Sequence, residues 1–296
     1  MSAIDKYFNY FNDRLNESHK LDIIKMYNNI QTYDYYDLFD TDMSFNTINS
    51  KMLMDDNINE YTLLKPKLIN HVNVTVISSN QTKIYKMSIF KNDKNKDFFV
   101  IDALREFYFQ TTFREQFINN NITNIIVPEI HRYGIINIET NNEIICFAEM
   151  NYYDTSKCSY YNIVKQEQTS KEKVEQLYNF YKNYNDIRNI IAELEKQIQI
   201  YHDNLFESEP LHRVINETRT LIEQDSEDLC ADFLTTPCIW PSYGYPCNLF
   251  PSNNKYILID FGRSSTAEFD TTEYADRLSG GPATNSFMDH ILYDII

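Results

Sequence analysis

The chain has 296 residues, of which 43% are hydrophobic and 15% aromatic, and its formal net charge is −16. This apolar content excludes general disorder and is enough to form a large core. The strong negative charge argues against a nucleic-acid binder that neutralises phosphates, and it suits either simple solubility or a basic protein as substrate or partner.

The first half of the chain alternates between strand and helix patterns. Residues 1–65 are polar with a helical pattern, and they predict an N-terminal helical extension. Residues 72–78 and 83–90 alternate apolar and polar side chains around a turn-like segment, which predicts a β-hairpin. The periodicity of Ile101–Asn119 predicts a helix, and two further strands follow, Ile135–Ile138 and Ile144–Phe147.

The second half is mainly helical by pattern. A long, charged helix is predicted over Ser170–His202 and another helix within Glu209–Leu234. The prolines and the glycine of Trp240–Pro251 predict a loop. A short apolar strand and a final helix complete the predictions, at Tyr256–Ile259 and Ser286–Ile296.

Cysteine usage and hydropathy bear on the compartment. The five cysteines are odd in number and contain no C-x-x-C pair, so a disulfide framework or a structural zinc site is not expected. The N-terminus lacks the pattern of a secretory signal, and no apolar run of about 18 residues occurs. We therefore expect a cytoplasmic protein without a membrane span.

The segment with the clearest chemistry is Asn248–Ser264, N-L-F-P-S-N-N-K-Y-I-L-I-D-F-G-R-S. An apolar strand ends in Asp260, and Asn248 lies twelve residues upstream. A strand pair can bring this amide oxygen and carboxylate together, and these are ligands that Mg²⁺ accepts beside phosphate oxygens. The pattern predicts a nucleotide–Mg²⁺ site.

The stretch I-L-I-D-F-G-R-S, together with the strand–strand–helix–strand–strand order of the first half, resembles the protein kinase fold. It is most similar to the divergent kinase-like proteins of large DNA viruses. The resemblance implies an α+β, two-lobed fold. Residues 66–150 would form an N-lobe with a small antiparallel sheet and one helix, and residues 151–296 a truncated helical C-lobe with an insertion around 170–235. A viral origin would place the protein in the host cytoplasm or the virion.

The resemblance also implies roles for individual residues. Asp260 and Asn248 would bind Mg²⁺, while Lys86 would anchor the ATP phosphates and form an ion pair with Glu106. Lys83 and Lys91 compete for the lysine's role, and Glu115 for that of the glutamate. The adenine would meet the backbone at the end of the fourth strand, at Glu149 and Met150.

Two departures from the family bear on catalysis. No glycine precedes Gly134, so a glycine-rich loop over the phosphates is absent before Lys86. Tyr243 occupies the place of the catalytic-loop aspartate, and a phenol is a poor base at neutral pH. The triplet His202-Asp203-Asn204 is similar to the missing motif, but Asn204 lies 44 residues before Asn248, which an ordinary catalytic loop does not span.

Three hypotheses follow from these observations. The first is a kinase-like protein that binds ATP and Mg²⁺ as a pseudokinase or as a weakly active Ser/Thr kinase. The second is an active atypical Ser/Thr kinase, in which Tyr243, an acidic residue within 203–232 or the metal-bound substrate replaces the base. The third is a structural or partner-binding protein whose helices within 170–235 form the interface.

Overall fold

The protein is represented by a computed structural model. It describes residues 3–10, 15–34, 71–77, 82–94, 96–139, 142–153, 163–202, 208–235, 248–252, 255–262 and 264–266. Within these ranges the fold is mixed α+β. The helices are α1 (Ala3–Tyr10), α2 (Glu17–Asn28), α3 (Lys96–Asn119), α4 (Ser170–Ile198), α5 (Ser208–Gln224) and α6 (Glu227–Thr235). The strands are β1 (Thr32–Tyr33), β2 (His71–Ile77), β3 (Lys83–Lys91), β4 (Ile125–Ile126), β5 (Ile130–Ile138), β6 (Glu143–Asn151), β7 (Leu249–Ser252) and β8 (Lys255–Leu258).

The larger sheet has five strands in the order β1-β5-β6-β3-β2. Strands β2 and β3 form the predicted hairpin, and β6 pairs antiparallel with both β3 and β5. Strand β6 is central, and its residues are buried along almost its whole length. The predicted strand pairs are therefore present, and β5 and β6 extend beyond the predicted ranges.

The N-terminal segment differs from the predicted helical extension, because it also contributes a strand. Strand β1 runs parallel to β5, with Thr32 opposite Ile135 and Tyr33 opposite Ile136. The Tyr33 ring lies over Gly134, where a Cβ atom would come within 2.6 Å of the ring carbon Cδ2. Gly134 therefore gives Tyr33 the room to pack edge-on against Phe147, and the sheet is mixed rather than purely antiparallel.

Helix α3 packs on one face of this sheet and begins at Lys96, earlier than the predicted Ile101. Its first turns bury Phe98, Phe99 and Val100, and Phe99 contacts Phe90 on β3. The first turns of α3 are buried by both the sheet and α1, so their residues form an apolar run without clear helical spacing. The sequence pattern therefore did not predict that the helix begins at Lys96. Helices α1 and α2 also pack on α3 through Tyr7, Phe8 and Ile23, all buried.

The predicted helix over Ser170–His202 ends at Ile198, since Gln199 adopts left-handed φ and ψ angles of 52° and 39°. The helix begins with a capping box between Thr169 and Glu172. The predicted helix within Glu209–Leu234 is two helices, α5 and α6, separated at Asp225 with its φ of 53°. The Glu227 carboxylate accepts N–H donors from the first turn of α4, which joins the two ends.

The smaller sheet has the order β4-β8-β7, with β8 parallel to β4 and antiparallel to β7. The predicted loop Trp240–Pro251 therefore ends in a strand, β7. Tyr243 and the predicted helix Ser286–Ile296 lie outside the described residues. None of the helices within the described ranges is long and apolar enough to cross a bilayer.

Candidate functional site

Lys86 lies in the middle of β3, and its side chain extends toward α3. Its ammonium group forms an ion pair with the Glu106 carboxylate, and its Nζ lies 3.4 Å from Oδ1 of Asp260. The side chains of Lys86 and Glu106 are only 25% and 13% exposed. The predicted ion pair is therefore present, and one ammonium group links the sheet, the helix and the Asp-Phe-Gly turn.

The rival residues lie elsewhere. Lys83 pairs with Glu149, and Lys91 pairs with Glu143 at the other end of the strand. Both lysines are more exposed than Lys86, and neither contacts Glu106 or Asp260 in a described ion pair. The alternation of side chains along β3 separates Lys86 from its two rivals, because residues 83 and 91 face away from α3.

Asp260 follows β8 and adopts an unusual backbone conformation. Its φ is 60°, a left-handed value that a non-glycine residue rarely adopts. The N–H of Gly262 donates to its Oδ1 over 3.4 Å, so the side chain closes the turn that the strained backbone begins. A left-handed residue held by the surrounding structure often marks a functional position.

Asn248 immediately precedes β7 and is buried. Its backbone carbonyl accepts a hydrogen bond of 2.9 Å from the N–H of Ile259, the residue before Asp260. The β7–β8 hairpin therefore brings Asn248 next to the segment that ends in Asp260, as the sequence predicts. An amide and a carboxylate both offer the oxygen ligands that a hard cation prefers.

Phe261 is fully buried between α3 and the segment after α4. Its ring lies 4.6 Å from the His202 ring and 5.3 Å from the Phe113 ring, measured between centroids. His202 makes a second contact with the turn, because its Nε2 lies 2.9 Å from the Ile259 carbonyl oxygen. His202 is thus a central contact of the site, although the sequence argument placed it at a helix end.

The position of His202 follows from the early end of α4. After Gln199 the chain becomes extended, and Tyr201 exchanges backbone hydrogen bonds of 2.8 and 3.0 Å with Ser265. This bridge holds the segment of His202 alongside the residues that follow the Asp-Phe-Gly turn. The triplet of His202 was set aside because 44 residues separate Asn204 from Asn248, and helices α5 and α6 make up part of that stretch.

The charges in the site are set by burial and by neighbours. Burial lowers the pKa of Lys86, but the attraction of Glu106 and Asp260 outweighs it and raises that pKa overall. Burial raises the pKa of Glu106, with Lys86 acting in the opposite sense. For Asp260, the attraction of Lys86 overcomes burial and lowers the pKa, so this carboxylate is ionised at neutral pH.

Two residues predicted to contact adenine lie inside the sheet. Glu149 is opposite Tyr85 on one side and Arg132 on the other, and Met150 is opposite Ile84 and Ile130. Their backbone groups are therefore between two paired strands rather than at a free strand end. The contact of adenine with this backbone stays a prediction, and at Glu149 and Met150 the backbone already lies between two paired strands.

The Glu149 side chain has a structural role. Its carboxylate is buried and pairs with Lys83 at 2.6 Å and with Arg132 at 2.6 Å. Burial raises the pKa of Glu149, but hydrogen bonds from these two cations outweigh it and lower that pKa overall. Met150 faces α3, where its sulfur accepts a hydrogen bond from Gln110.

Sequence reasoning missed Arg105, which precedes Glu106 on α3. This buried arginine donates 2.8 Å hydrogen bonds to the carbonyl oxygen of Ser264 and to the hydroxyl of Tyr7. Its Nη2 also donates to the carbonyl oxygen of Gly262. An arginine on an aromatic helix face, beside the candidate glutamate, was the available signal.

A buried pair beside the site makes opposing contributions to pH-dependent stability. Burial lowers the pKa of His202 from 6.5 to about 4, and burial raises the pKa of Glu195 from 4.5 to about 7. The stability from neutral His202 is present above pH 6.5 and is lost as pH falls toward 4. The stability from protonated Glu195 is present below pH 4.5 and is lost as pH rises through 7.

We therefore expect Glu195→Gln to change how stability depends on pH. In the parent, the backbone N–H of His202 donates a hydrogen bond of 2.6 Å to Oε1 of Glu195, and the glutamine keeps an oxygen acceptor for it. Relative to the parent, its free energy of unfolding should rise by about 3 kcal/mol between pH 4.5 and 7, because only the parent must ionise Glu195. Urea unfolding across this range measures the difference. Glu193→Gln, on an exposed carboxylate of the same helix, is the control, and a flat Glu195→Gln difference would contradict the prediction.

In comparisons with known proteins, no protein-family model, no curated protein and no solved structure matches this chain. Among the described residues, no group of three or more His, Cys, Asp or Glu side chains is arranged to hold a metal ion. A divalent cation here would need oxygen atoms from a ligand in addition to Asn248 and Asp260, as Mg²⁺ bound with a nucleotide does.

Proposed function

We propose that the protein has a kinase-like fold and binds ATP with Mg²⁺ at the site formed by Lys86, Asn248 and Asp260. The observation that carries the proposal is the position of the Lys86 ammonium group, between Glu106 on α3 and Asp260 after β8. A strand lysine paired with a helix glutamate, opposite an Asp-Phe-Gly turn, is the arrangement by which protein kinases hold nucleotide phosphates.

Each residue has a physical task in this proposal. Glu106 fixes the Lys86 side chain so that its ammonium group lies beside Asp260, where it would bind phosphate oxygens. Asp260 is ionised and its side chain is 47% exposed, so it is able to bind a cation. Bound Mg²⁺ would neutralise phosphate charge. The oxygen-only set of Asn248 and Asp260 fits this hard cation.

The departures from the family favour weak or absent phosphoryl transfer. Without a glycine before residue 134, backbone N–H groups approach the phosphates less closely. Tyr243 in place of the catalytic aspartate weakens proton removal from a substrate hydroxyl. We therefore favour a pseudokinase or a weakly active Ser/Thr kinase. The net charge of −16 favours a basic protein as its partner.

The decisive experiment is a thermal-shift titration with ATP, with and without Mg²⁺. At a ligand concentration of about 100 times Kd, binding stabilises by about 2.7 kcal/mol, which raises Tm by roughly 5 °C. Asp260→Asn should remove the part of this shift that needs Mg²⁺. Asparagine is chosen because it tolerates the left-handed backbone, whereas alanine would add strain.

Asp225→Asn is the matched control, since Asp225 also has a left-handed φ, 53°, but is exposed and far along the chain from the site. It should leave the shift intact. If the parent protein shows no shift with ATP and Mg²⁺, the nucleotide proposal is wrong, and the structural or partner-binding hypothesis takes its place.

The position of His202 favours a second candidate, an active protein kinase. Its contacts with Phe261 and Ile259 place the end of the described segment beside the Asp-Phe-Gly turn, and Asp203 is the next residue in the sequence. Asp203 itself lies outside the described residues. An aspartate directly after this histidine would supply the catalytic base that is missing at the position of Tyr243.

Transfer of labelled phosphate from ATP to a basic protein tests the second candidate. If Asp203 is the base, Asp203→Asn should abolish incorporation, whereas Tyr243→Phe should leave it unchanged. Incorporation that is lost in Asp260→Asn but not in Asp203→Asn would exclude Asp203 as the base. No incorporation in a parent protein that binds ATP with Mg²⁺ would favour the pseudokinase.

A further inference from the structure

Arg105 connects the Asp-Phe-Gly turn to the N-terminal helix α1. Its guanidinium group is buried and donates in two directions. On one side Nη1 and Nη2 bind the carbonyl oxygens of Ser264 and Gly262. On the other side Nε donates to the hydroxyl of Tyr7 over 2.8 Å, and Nη2 lies 3.3 Å from Oδ1 of Asp102.

Tyr7 completes a closed network with these partners. Its hydroxyl donates to Oδ1 of Asp102 over 2.8 Å while it accepts the Arg105 hydrogen bond. The ring is fully buried and packs edge-on against Phe8 and Phe98. Burial raises the pKa of the Tyr7 phenol well above its usual range, so the hydroxyl keeps the proton that it donates. Removing this hydroxyl would leave the buried Arg105 Nε–H without its acceptor and the Asp102 carboxylate without its donor.

The two carbonyl groups that Arg105 binds belong to the turn that shapes Asp260. Gly262 supplies the N–H that supports the Asp260 carboxylate, and the same residue's carbonyl oxygen is held by Arg105. Asp260 has a left-handed backbone, which persists only where surrounding contacts enforce it. Arg105 is such a contact, because a planar guanidinium holds two acceptors in fixed directions.

A second contact joins the N-terminal segment to the same region. The backbone N–H of Asn16, the residue that caps α2, donates to Oγ1 of Thr266 over 3.0 Å. Residues of the N-terminal segment therefore hold the chain after Asp260 at two places, through Arg105 and at Thr266. This segment is far from the site in sequence, and the described ion pairs of Lys86 are with Glu106 and Asp260, not with the N-terminal segment.

We propose that Arg105 is a positioning residue for Asp260 and that α1, through Tyr7, controls it. In this inference, which rests on the proposed function, docking of α1 fixes the Asp260 carboxylate in its cation-binding orientation. Displacement of α1 leaves Lys86 and Glu106 paired but releases the turn. The N-terminal helix thus regulates the Mg²⁺-dependent part of nucleotide binding and leaves the remainder unchanged.

The test compares Tyr7→Phe and Arg105→Lys with the parent in the full chain. Tyr7→Phe keeps the ring packing and removes only the hydroxyl, and Arg105→Lys keeps the charge without the planar fork. ATP affinity measured with Mg²⁺ should fall roughly tenfold in each variant, the effect of losing one hydrogen bond to a charged group. ATP affinity without Mg²⁺ should stay within about twofold, because Lys86 and Glu106 are intact.

Arg114→Gln is the control on the same helix, where Arg114 pairs with Glu129 at the surface. It should change neither affinity. If both variants keep the parent's affinity for ATP with Mg²⁺, or lose affinity equally with and without Mg²⁺, the positioning role is wrong.

Amide hydrogen exchange separates this inference from the proposed function, because it needs no nucleotide. The Ser264 and Ser265 N–H groups are bonded to Phe261 and Tyr201, so their exchange reports on the turn. We expect faster exchange over residues 261–266 in Tyr7→Phe and Arg105→Lys, and no change in Arg114→Gln. If the parent binds no ATP, the proposed function fails, yet faster exchange would still support the link from Tyr7 to the turn. Unchanged exchange would overturn that link.

Discussion

Phe261→Ala will lower the free energy of unfolding by about 3–5 kcal/mol, the usual cost of removing a fully buried phenylalanine. Phe261 has no exposed surface, and its neighbours belong to different parts of the fold, Phe113 on α3 and His202 after α4. These neighbours also contact each other, with ring centroids 6.0 Å apart, so they have little freedom to fill the space. Urea unfolding at pH 7 measures the loss.

Two controls make this result specific to packing. Phe261→Leu keeps most of the apolar volume and should cost much less than the alanine variant. Leu229→Ala removes a side chain from the surface of α6 and should change stability by less than about 0.5 kcal/mol. A loss below about 1 kcal/mol for Phe261→Ala would show that the ring is not a core contact.

Lys86→Met will destabilise the protein by about 3 kcal/mol at pH 8, because it leaves the largely buried Glu106 carboxylate without its cation. The Asp260 charge, which lies within reach of the same ammonium group in the parent, then repels Glu106. Glu106 escapes this cost by taking up a proton. Since its folded pKa is raised, the variant's stability is retained at low pH and is lost as pH rises. The measured loss should therefore be smaller at pH 5 than at pH 8.

The second variant isolates this mechanism. Lys86→Met with Glu106→Gln removes the unpaired charge, so its stability should no longer fall with rising pH relative to the parent. Lys91→Met is the control on the same strand, where a partly exposed pair with Glu143 contributes about 0–1 kcal/mol. Equal losses for Lys86→Met at pH 5 and pH 8 would contradict the assignment. All variants at Lys86 should also lose the thermal shift with ATP.

The ion pair between Lys86 and Glu106 was expected from the resemblance to the protein kinase fold, with Lys86 in the middle of a strand and Glu106 on the helix that follows. In the structure, the alternation of side chains along β3 turns Lys86 toward α3, while Lys83 and Lys91 pair with glutamates elsewhere. The apolar strand before Asp260 and the closeness of Asn248 to it were also predicted, although β7 itself lies in a segment predicted as a loop. The strand of Lys86 and the helix of Glu106 follow from local patterns of two and 3.6 residues, whereas their pairing was expected only from the resemblance.

Contacts across long separations were not predictable in this way. His202 was set aside because of its distance along the chain from Asn248, and Arg105 was overlooked although it lies on an aromatic helix face beside Glu106. Strand β1 has only two residues, too few for alternation to be recognised, and its place depends on the space beside Gly134. At Glu149 the strand prediction ended too early, because β6 continues to Asn151 and Glu149 is paired with both β3 and β5.

The position of β1 and α1 also constrains the order in which the protein folds. The described partners of these first residues include Asp102, Ile135 and Thr266, which are synthesised much later. During translation the side chains of Tyr7 and Ile23 therefore lack their native contacts until the later residues have been made. The edge of the larger sheet beside β5 remains unpaired until β1 docks there. Contacts that close such long loops form slowly, so the residues made first are among the last to reach their final place.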